Sequence, residues 1–164
     1  LLPTMSFYEL KENYKFLLET NYYTEENIYN KFNLYNGCHY ENILKKKGLL
    51  IKTSTFYDRF GYSYLDPKVE VFSAVIDGIR GEFRNVKILT SRIQENISKS
   101  GDYTKYLQIR KRQRVLWTFI VTELIKVIDA SDELIGSYDE FRKTLLFNQI
   151  IKNINDLEDF IIYL

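Results

Sequence analysis

The sequence predicts a mainly α-helical protein with a small head, which contains a β-hairpin, followed by a helical body of about three helices. Three observations predict this. Apolar residues recur at helical spacing through most of the 164 residues. Between residues 43 and 65 a glycine stop is followed by two β-rich segments around a polar turn. Asp66-Pro67 then ends the second segment, so we expect a head over residues 1–66 and a body over residues 67–164.

Composition narrows the class of protein. Hydrophobic residues make up 45% of the chain, enough for a core, and the net charge of +1 gives no overall attraction to nucleic acid or anionic lipid. The single cysteine, Cys38, excludes an internal disulfide and is typical of a reducing compartment, so we expect an intracellular protein of cytoplasm or nucleus. No apolar run is long enough for a membrane span, and no basic or cleavage-site signal precedes Met5.

The head is predicted to begin with two helices. Ser6 and Glu9 have the S-x-x-E spacing of a capping box, in which each side chain accepts a hydrogen bond from the other residue's backbone N–H. An apolar stripe then predicts a first helix over Phe7–Thr20. Thr24, followed by two glutamates, predicts the start of a second, shorter helix that ends near Asn36-Gly37.

A third helix and two strands complete the predicted head. The helix covers about Cys38–Lys47 and stops at Gly48. Leu49–Thr55 is rich in β-branched residues, and Phe60–Leu65 alternates aromatic and small residues. The polar residues between these segments predict a hairpin turn.

This order of elements resembles the winged helix-turn-helix superfamily, in particular small regulators of the MarR kind. The run LKKKGLL…RFGYSYLDP is similar to the end of a recognition helix followed by wing strands and a proline exit. The resemblance covers Ser6–Pro67 and is one of pattern rather than of a diagnostic motif. It implies that the third helix enters the major groove of double-stranded DNA and that the wing touches the backbone or minor groove. The implied DNA-binding residues are His39, Asn42, Lys45, Lys46, Lys52, Ser54, Thr55, Tyr57 and Arg59.

The chemistry of these residues fits DNA only in part. Asn can pair with adenine, Lys can reach guanine or phosphate, and hydroxyl groups commonly contact phosphate. However, the third helix has no Arg, and Glu41 and Asp58 are expected among the contacts, where they would repel phosphate. Residues 1–66 carry eight basic and eight acidic side chains, whereas a DNA-binding head is usually basic. A head that binds protein is therefore the alternative.

The body is predicted from longer helical stripes. Apolar residues from Val69 to Ile97 predict one helix that ends between Ser98 and Gly101. Gly78 and Gly81 lie inside it and indicate a close helix crossing or a break, and close packing is preferred over a ligand site.

Two further helices follow in the predicted body. The next runs from Asp102 or Thr104 to about Asp129, and its stretch Val115–Val121 is apolar nearly all round, as in a central helix or a partner-binding one. The last runs from Tyr138 towards Leu164. Core burial is the preferred prediction for the single Trp, with an interface anchor as the alternative. The predicted interface residues are Trp117, Phe119, Phe160 and Ile161.

The charges of the body are segregated along the chain. Residues 103–122 hold five basic side chains and no acidic one, whereas residues 129–159 hold eight acidic ones. The basic run either contacts nucleic acid or an acidic partner, or pairs with the acidic C-terminal helix of the same or a second copy. Its residues are Lys105, Arg110, Lys111, Arg112 and Arg114.

No catalytic pattern is found in the sequence. Cys38 and His39 are the only Cys and the only His, too few for a zinc site, and no Gly-rich phosphate loop occurs. We therefore expect neither a metal nor a cofactor, and not an enzyme. The resemblance implies a DNA-binding regulator, or a replication or segregation factor, that forms a homodimer through its body helices. The alternative is a protein–protein interaction module of a larger assembly, and a third class is a helical effector that sequesters a host factor.

Overall fold

A computed structural model describes residues 1–20, 34, 39–51, 61–101, 103–130 and 138–164. Within these residues the chain is mainly α-helical, which confirms the predicted class, and it contains a two-stranded sheet. The predicted second helix, from Thr24 to Asn36, lies outside the described residues except for Leu34. The elements are α1 (Phe7–Glu19), α2 (His39–Lys46), β1 (Leu50–Ile51), β2 (Gly61–Tyr62), α3 (Pro67–Glu82), α4 (Arg84–Ser100), α5 (Thr104–Ala130), α6 (Tyr138–Phe141) and α7 (Leu145–Ile162).

Helix α1 begins at the predicted capping box. The backbone N–H of Ser6 donates to Glu9 Oε2 at 2.8 Å, and the N–H of Glu9 donates to Ser6 Oγ at 3.2 Å. Two amides that the helix itself leaves without acceptors are thereby satisfied. The helix ends one residue before the predicted Thr20, so this prediction is confirmed.

The short sheet follows α2 after one turn. Gly48 takes a left-handed backbone conformation (φ 68°), which favours glycine because it has no Cβ. Strand β1 then pairs antiparallel with β2, with Leu50 opposite Tyr62 and Ile51 opposite Gly61. The second strand was predicted to continue to Leu65, but it ends at Tyr62, and the Leu65 N–H donates instead to the Pro3 carbonyl at 2.8 Å.

The Asp66 carboxylate accepts hydrogen bonds from the first turns of two helices. Its Oδ1 accepts a hydrogen bond from the Lys68 N–H at 2.9 Å, and its Oδ2 accepts one from the Phe7 N–H at 2.7 Å. Pro67 occupies the first turn of α3, where its missing N–H costs nothing. Asp66 therefore ties the start of α1 to the start of α3, at the place where the division between head and body was predicted.

The main hydrophobic core draws on α1 and on α3 to α7. Near its centre the rings of Phe83 and Trp117 stack, with centroids 4.4 Å apart and planes inclined by 18°. A smaller cluster contains Leu34, Leu44 and Leu49. Helix α1 thus shares the core of the body, whereas α2 and the strands pack around a separate small core.

The apolar stripe from Val69 to Ile97 forms two helices, so the prediction of one continuous helix is wrong, and the break lies at Phe83, two residues after Gly81. Phe83 has φ −77° and ψ 3° and lies between α3 and α4. The apolar stripe continues through the break because the Phe83 ring is itself buried against Trp117. Close packing is confirmed at Gly78, since the ring of Tyr138 lies where a Cβ would stand, but it is wrong at Gly81, where nothing lies within 4 Å of a Cβ. The predicted end near Gly101 is also confirmed, with φ 72° at that glycine.

The last helix is interrupted as well, contrary to the prediction of one helix from Tyr138 onwards. Helix α6 is a single turn that ends at Phe141. Thr144 then caps α7, because its Oγ1 accepts a hydrogen bond from the Phe147 N–H at 3.1 Å. The described body therefore contains five helices, α3 to α7, rather than about three.

Candidate nucleic-acid interface

Helix α2 presents a polar face to solvent. His39, Asn42 and Lys46 follow at i, i+3 and i+7, which places them on one side of the helix, and all three are exposed. Lys45 is exposed beside this face. Leu44 is fully buried on the opposite side. The four DNA-binding residues predicted on this helix are therefore brought together on an accessible surface.

Glu41 is turned away from that surface. It was expected to lie among the DNA contacts, but its residue exposure is only 5%. Its Oε1 pairs with Lys45 Nζ at 2.5 Å, one helical turn along. The inward direction follows from the spacing, because Glu41 is three residues before the buried Leu44. Its negative charge is thus offset within the helix and does not face a bound phosphate.

Short contacts fix the position of α2. The hydroxyl groups of Thr4 and Tyr40 are hydrogen-bonded at 2.6 Å, which joins the helix to the N-terminal segment. At its other end, the Leu49 N–H donates to the Leu44 carbonyl at 3.0 Å. Because both ends are held, the exposed face has a defined orientation relative to β1.

The predicted wing contacts lie outside the described residues. This applies to Lys52, Ser54, Thr55, Tyr57 and Arg59, and also to Asp58. Their part in DNA binding therefore stays a prediction.

The basic run on α5 is directed partly towards the body itself. Lys105 Nζ donates to the Leu164 carbonyl at 2.5 Å, and the Arg112 guanidinium lies 3.7 Å from the centre of the Phe160 ring. Arg110 is half-buried and donates to Gln113 Oε1 at 3.2 Å. Arg114 is also half-buried, whereas Lys111 is exposed. In these contacts the run meets the C-terminal helix through a carbonyl and an aromatic ring.

The predicted interface residues fall into two groups. Trp117 and Ile161 lie in the core, with 1% and 4% exposure, so in this fold neither side chain is accessible to a partner. Phe119 and Phe160 are half-buried and line a groove of about 650 Å³ between α5 and α7. Sequence analysis did not single out Val115, which is 65% exposed at this groove, because it lies in a run of apolar residues that look alike.

The shifted pKa values belong to groups away from α2. The hydrogen bond from Lys11 lowers the pKa of Asp129. Burial, followed by the hydrogen bond to Glu82, raises the pKa of Tyr138 to about 12. The described part of the chain contains no cluster of three or more His, Cys, Asp or Glu side chains that could hold a metal ion. Among the same residues, no helix combines the length and the hydrophobicity needed to cross a bilayer.

No protein-family model, curated protein or solved structure matches this chain. The functional argument therefore depends on the residues and their geometry.

Proposed function

We propose that the protein binds double-stranded DNA through α2, with a winged-helix head, as a regulator or as a replication or segregation factor. The observation that supports this best is the outward face of α2. His39, Asn42 and Lys46 share that face, and Lys45 flanks it. The only acid of the helix, Glu41, is buried and paired.

The dimensions of α2 suit the major groove. An α-helix with its side chains is about 10–12 Å in diameter and fits the major groove, which is about 12 Å wide, and the eight residues of α2 give it a length of about 12 Å. Asn42 at the middle of the exposed face has the amide that pairs with adenine, and Lys46 reaches guanine or phosphate. Lys46 and Lys47, which follow the paired Lys45, give the C-terminal end of the helix a positive potential towards the DNA backbone.

The strand pair supports the proposed winged-helix head. Strands β1 and β2 follow α2 immediately and pair antiparallel, as wing strands do. In the proposed complex residues 52–60 would contact the backbone, which adds Lys52 and Arg59 to the basic surface.

Fluorescence anisotropy with a labelled random duplex tests the proposal. Binding should weaken as salt rises, and Lys46→Gln should lower the affinity and reduce the salt slope by roughly one. Lys15→Gln on α1 is the matched control, because it removes the same charge from an exposed position on another helix. Absence of binding at low salt would exclude the proposal. Loss of binding only when Lys111 and Arg112 are neutralised would place the DNA surface on α5 instead.

A second function is supported by the groove between α5 and α7. An accessible Val115 beside half-buried Phe119 and Phe160 is typical of a surface that contacts protein. The chain would then be an interaction module of a larger assembly. Co-purification of a stoichiometric foreign protein that is lost in a Val115→Asp variant would support this function.

A further inference from the structure

The groove between α5 and α7 has walls of opposite charge. Lys111 and Arg112 line the α5 wall, and Asp156 lines the α7 wall. All three residues are exposed. Between them the surface is apolar, formed by Val115, Phe119 and their neighbours. The groove therefore combines an apolar centre with a charged rim, which is typical of a protein–protein interface.

The two helices run antiparallel along the groove. Lys105 near the start of α5 contacts Leu164, just beyond the end of α7, and Arg112 further along contacts Phe160. Asp156 lies one helical turn before Phe160, so Arg112 and Asp156 are about one turn apart along the groove. A partner that packs into the groove therefore contacts both the basic wall and the acidic wall.

We propose that the occupant of this groove is a second copy of the same chain, related by a two-fold axis that runs along the groove. Such an axis places α5 of each copy against α7 of the other. It leaves the position of each residue along the groove unchanged. Lys111 of one copy then faces Asp156 of its partner, and the same contact forms twice. The result is a four-helix arrangement with a shared apolar centre at Val115 and Phe119.

Charge complementarity favours a second copy over a foreign helix. A foreign helix would need an acidic side towards α5 and a basic side towards α7. A second copy has both sides already, since its own walls carry these charges. The net charge of +1 per chain also adds little long-range repulsion between copies. The inference does not depend on DNA binding, and its experiment contains no DNA, so the two proposals fail separately.

Mixing two charge-reversed variants tests the inference. In Lys111→Glu, and equally in Asp156→Lys, like charges face each other across the two-fold axis. Each variant alone should therefore dissociate with a constant raised roughly tenfold or more. In an equimolar mixture, the glutamate introduced in one variant faces the lysine introduced in the other, and the native pair forms at the second contact. The mixture should recover dimers that contain one copy of each variant.

Sedimentation velocity over a wide concentration range gives the measurement, and isotope labelling of one variant identifies mixed dimers by native mass spectrometry. Arg92→Glu, an exposed charge reversal on α4, should dimerise like the wild type. A wild-type chain that stays monomeric at all concentrations overturns the inference. The inference is also overturned if the mixture is no more dimeric than either variant alone. That result would mean that Lys111 and Asp156 do not pair between copies, since only a pair between copies is restored by mixing.

Discussion

The ring of Tyr138 occupies the space into which a side chain at Gly78 would project. This close approach lets the single-turn helix α6 lie directly on α3. The Tyr138 hydroxyl donates to Glu82 Oε1 at 3.0 Å, and its ring meets Phe147 edge-on with centroids 6.1 Å apart. A glycine in the middle of a helix, which alone weakens that helix, is therefore the contact point between two elements.

Replacing Gly78 by Ala should destabilise the protein by about 1–2 kcal/mol, because the new methyl group must displace the Tyr138 ring. Gly81→Ala is the matched control, since nothing lies within 4 Å of a Cβ at that position. The free energy of unfolding of the Gly81→Ala control should rise by up to about 1 kcal/mol, because alanine has a higher helix propensity than glycine. Urea unfolding measures both. Equal stabilisation by Gly78→Ala and Gly81→Ala would show that the Tyr138 ring does not pack against Gly78.

Tyr138→Phe should show a pH-dependent effect. The pKa of Tyr138 is raised to about 12 by burial and by its hydrogen bond to Glu82, so the folded protein favours the neutral phenol. The stability that this contributes is complete below the ordinary pKa of about 10 and is lost as pH rises towards 12. The advantage of the wild type over the variant should therefore be smaller at pH 11 than at pH 8. Urea unfolding at both pH values gives the comparison.

Tyr163→Phe provides the control for that experiment. Its side chain is 88% exposed, so solvent surrounds it in the folded and the unfolded protein alike. We expect Tyr163→Phe to change the free energy of unfolding by no more than about 0.5 kcal/mol. A wild-type advantage over Tyr138→Phe that grows with pH would contradict the assignment.

Asp66→Ala should cost about 2 kcal/mol, because the carboxylate caps both α1 and α3 and each cap contributes about 1 kcal/mol. Asp66→Asn retains one acceptor oxygen and should lose roughly half as much. Ser6→Ala removes a cap from α1 alone and is the comparison. Thermal or urea unfolding would reveal the order, and equal losses for Asp66→Ala and Ser6→Ala would exclude the double role.

Phe83→Ala should destabilise the protein by about 3–5 kcal/mol, because it leaves a cavity against Trp117 in the core. The fluorescence of Trp117, the only tryptophan, should shift to the red as water reaches the indole. Ile88→Ala on the exposed side of α4 is the control and should change stability by no more than about 0.5 kcal/mol. An unshifted spectrum in Phe83→Ala would contradict the stacked arrangement.

Local signals in the sequence were sufficient for several elements. The capping box at Ser6 and Glu9 and the glycine stops at Gly48 and Gly101 are interactions within a few residues, so their pattern predicts them directly. The α2 surface was also predicted, since helical spacing alone places His39, Asn42 and Lys46 on one side. The inward position of Glu41 follows from the same helical spacing, because it lies three residues before the buried Leu44.

The sequence by itself determined the helical class, the starts and stops of several helices and the exposed face of α2, because each depends on neighbours along the chain. The tertiary structure decided where the long stripes break. An apolar pattern that passes through Phe83 without change does not show that Trp117 will stack on that ring from another helix. It also decided which apolar residues of α5 stay accessible, since the burial of Trp117 and the exposure of Val115 depend on how α3, α4 and α7 pack around α5.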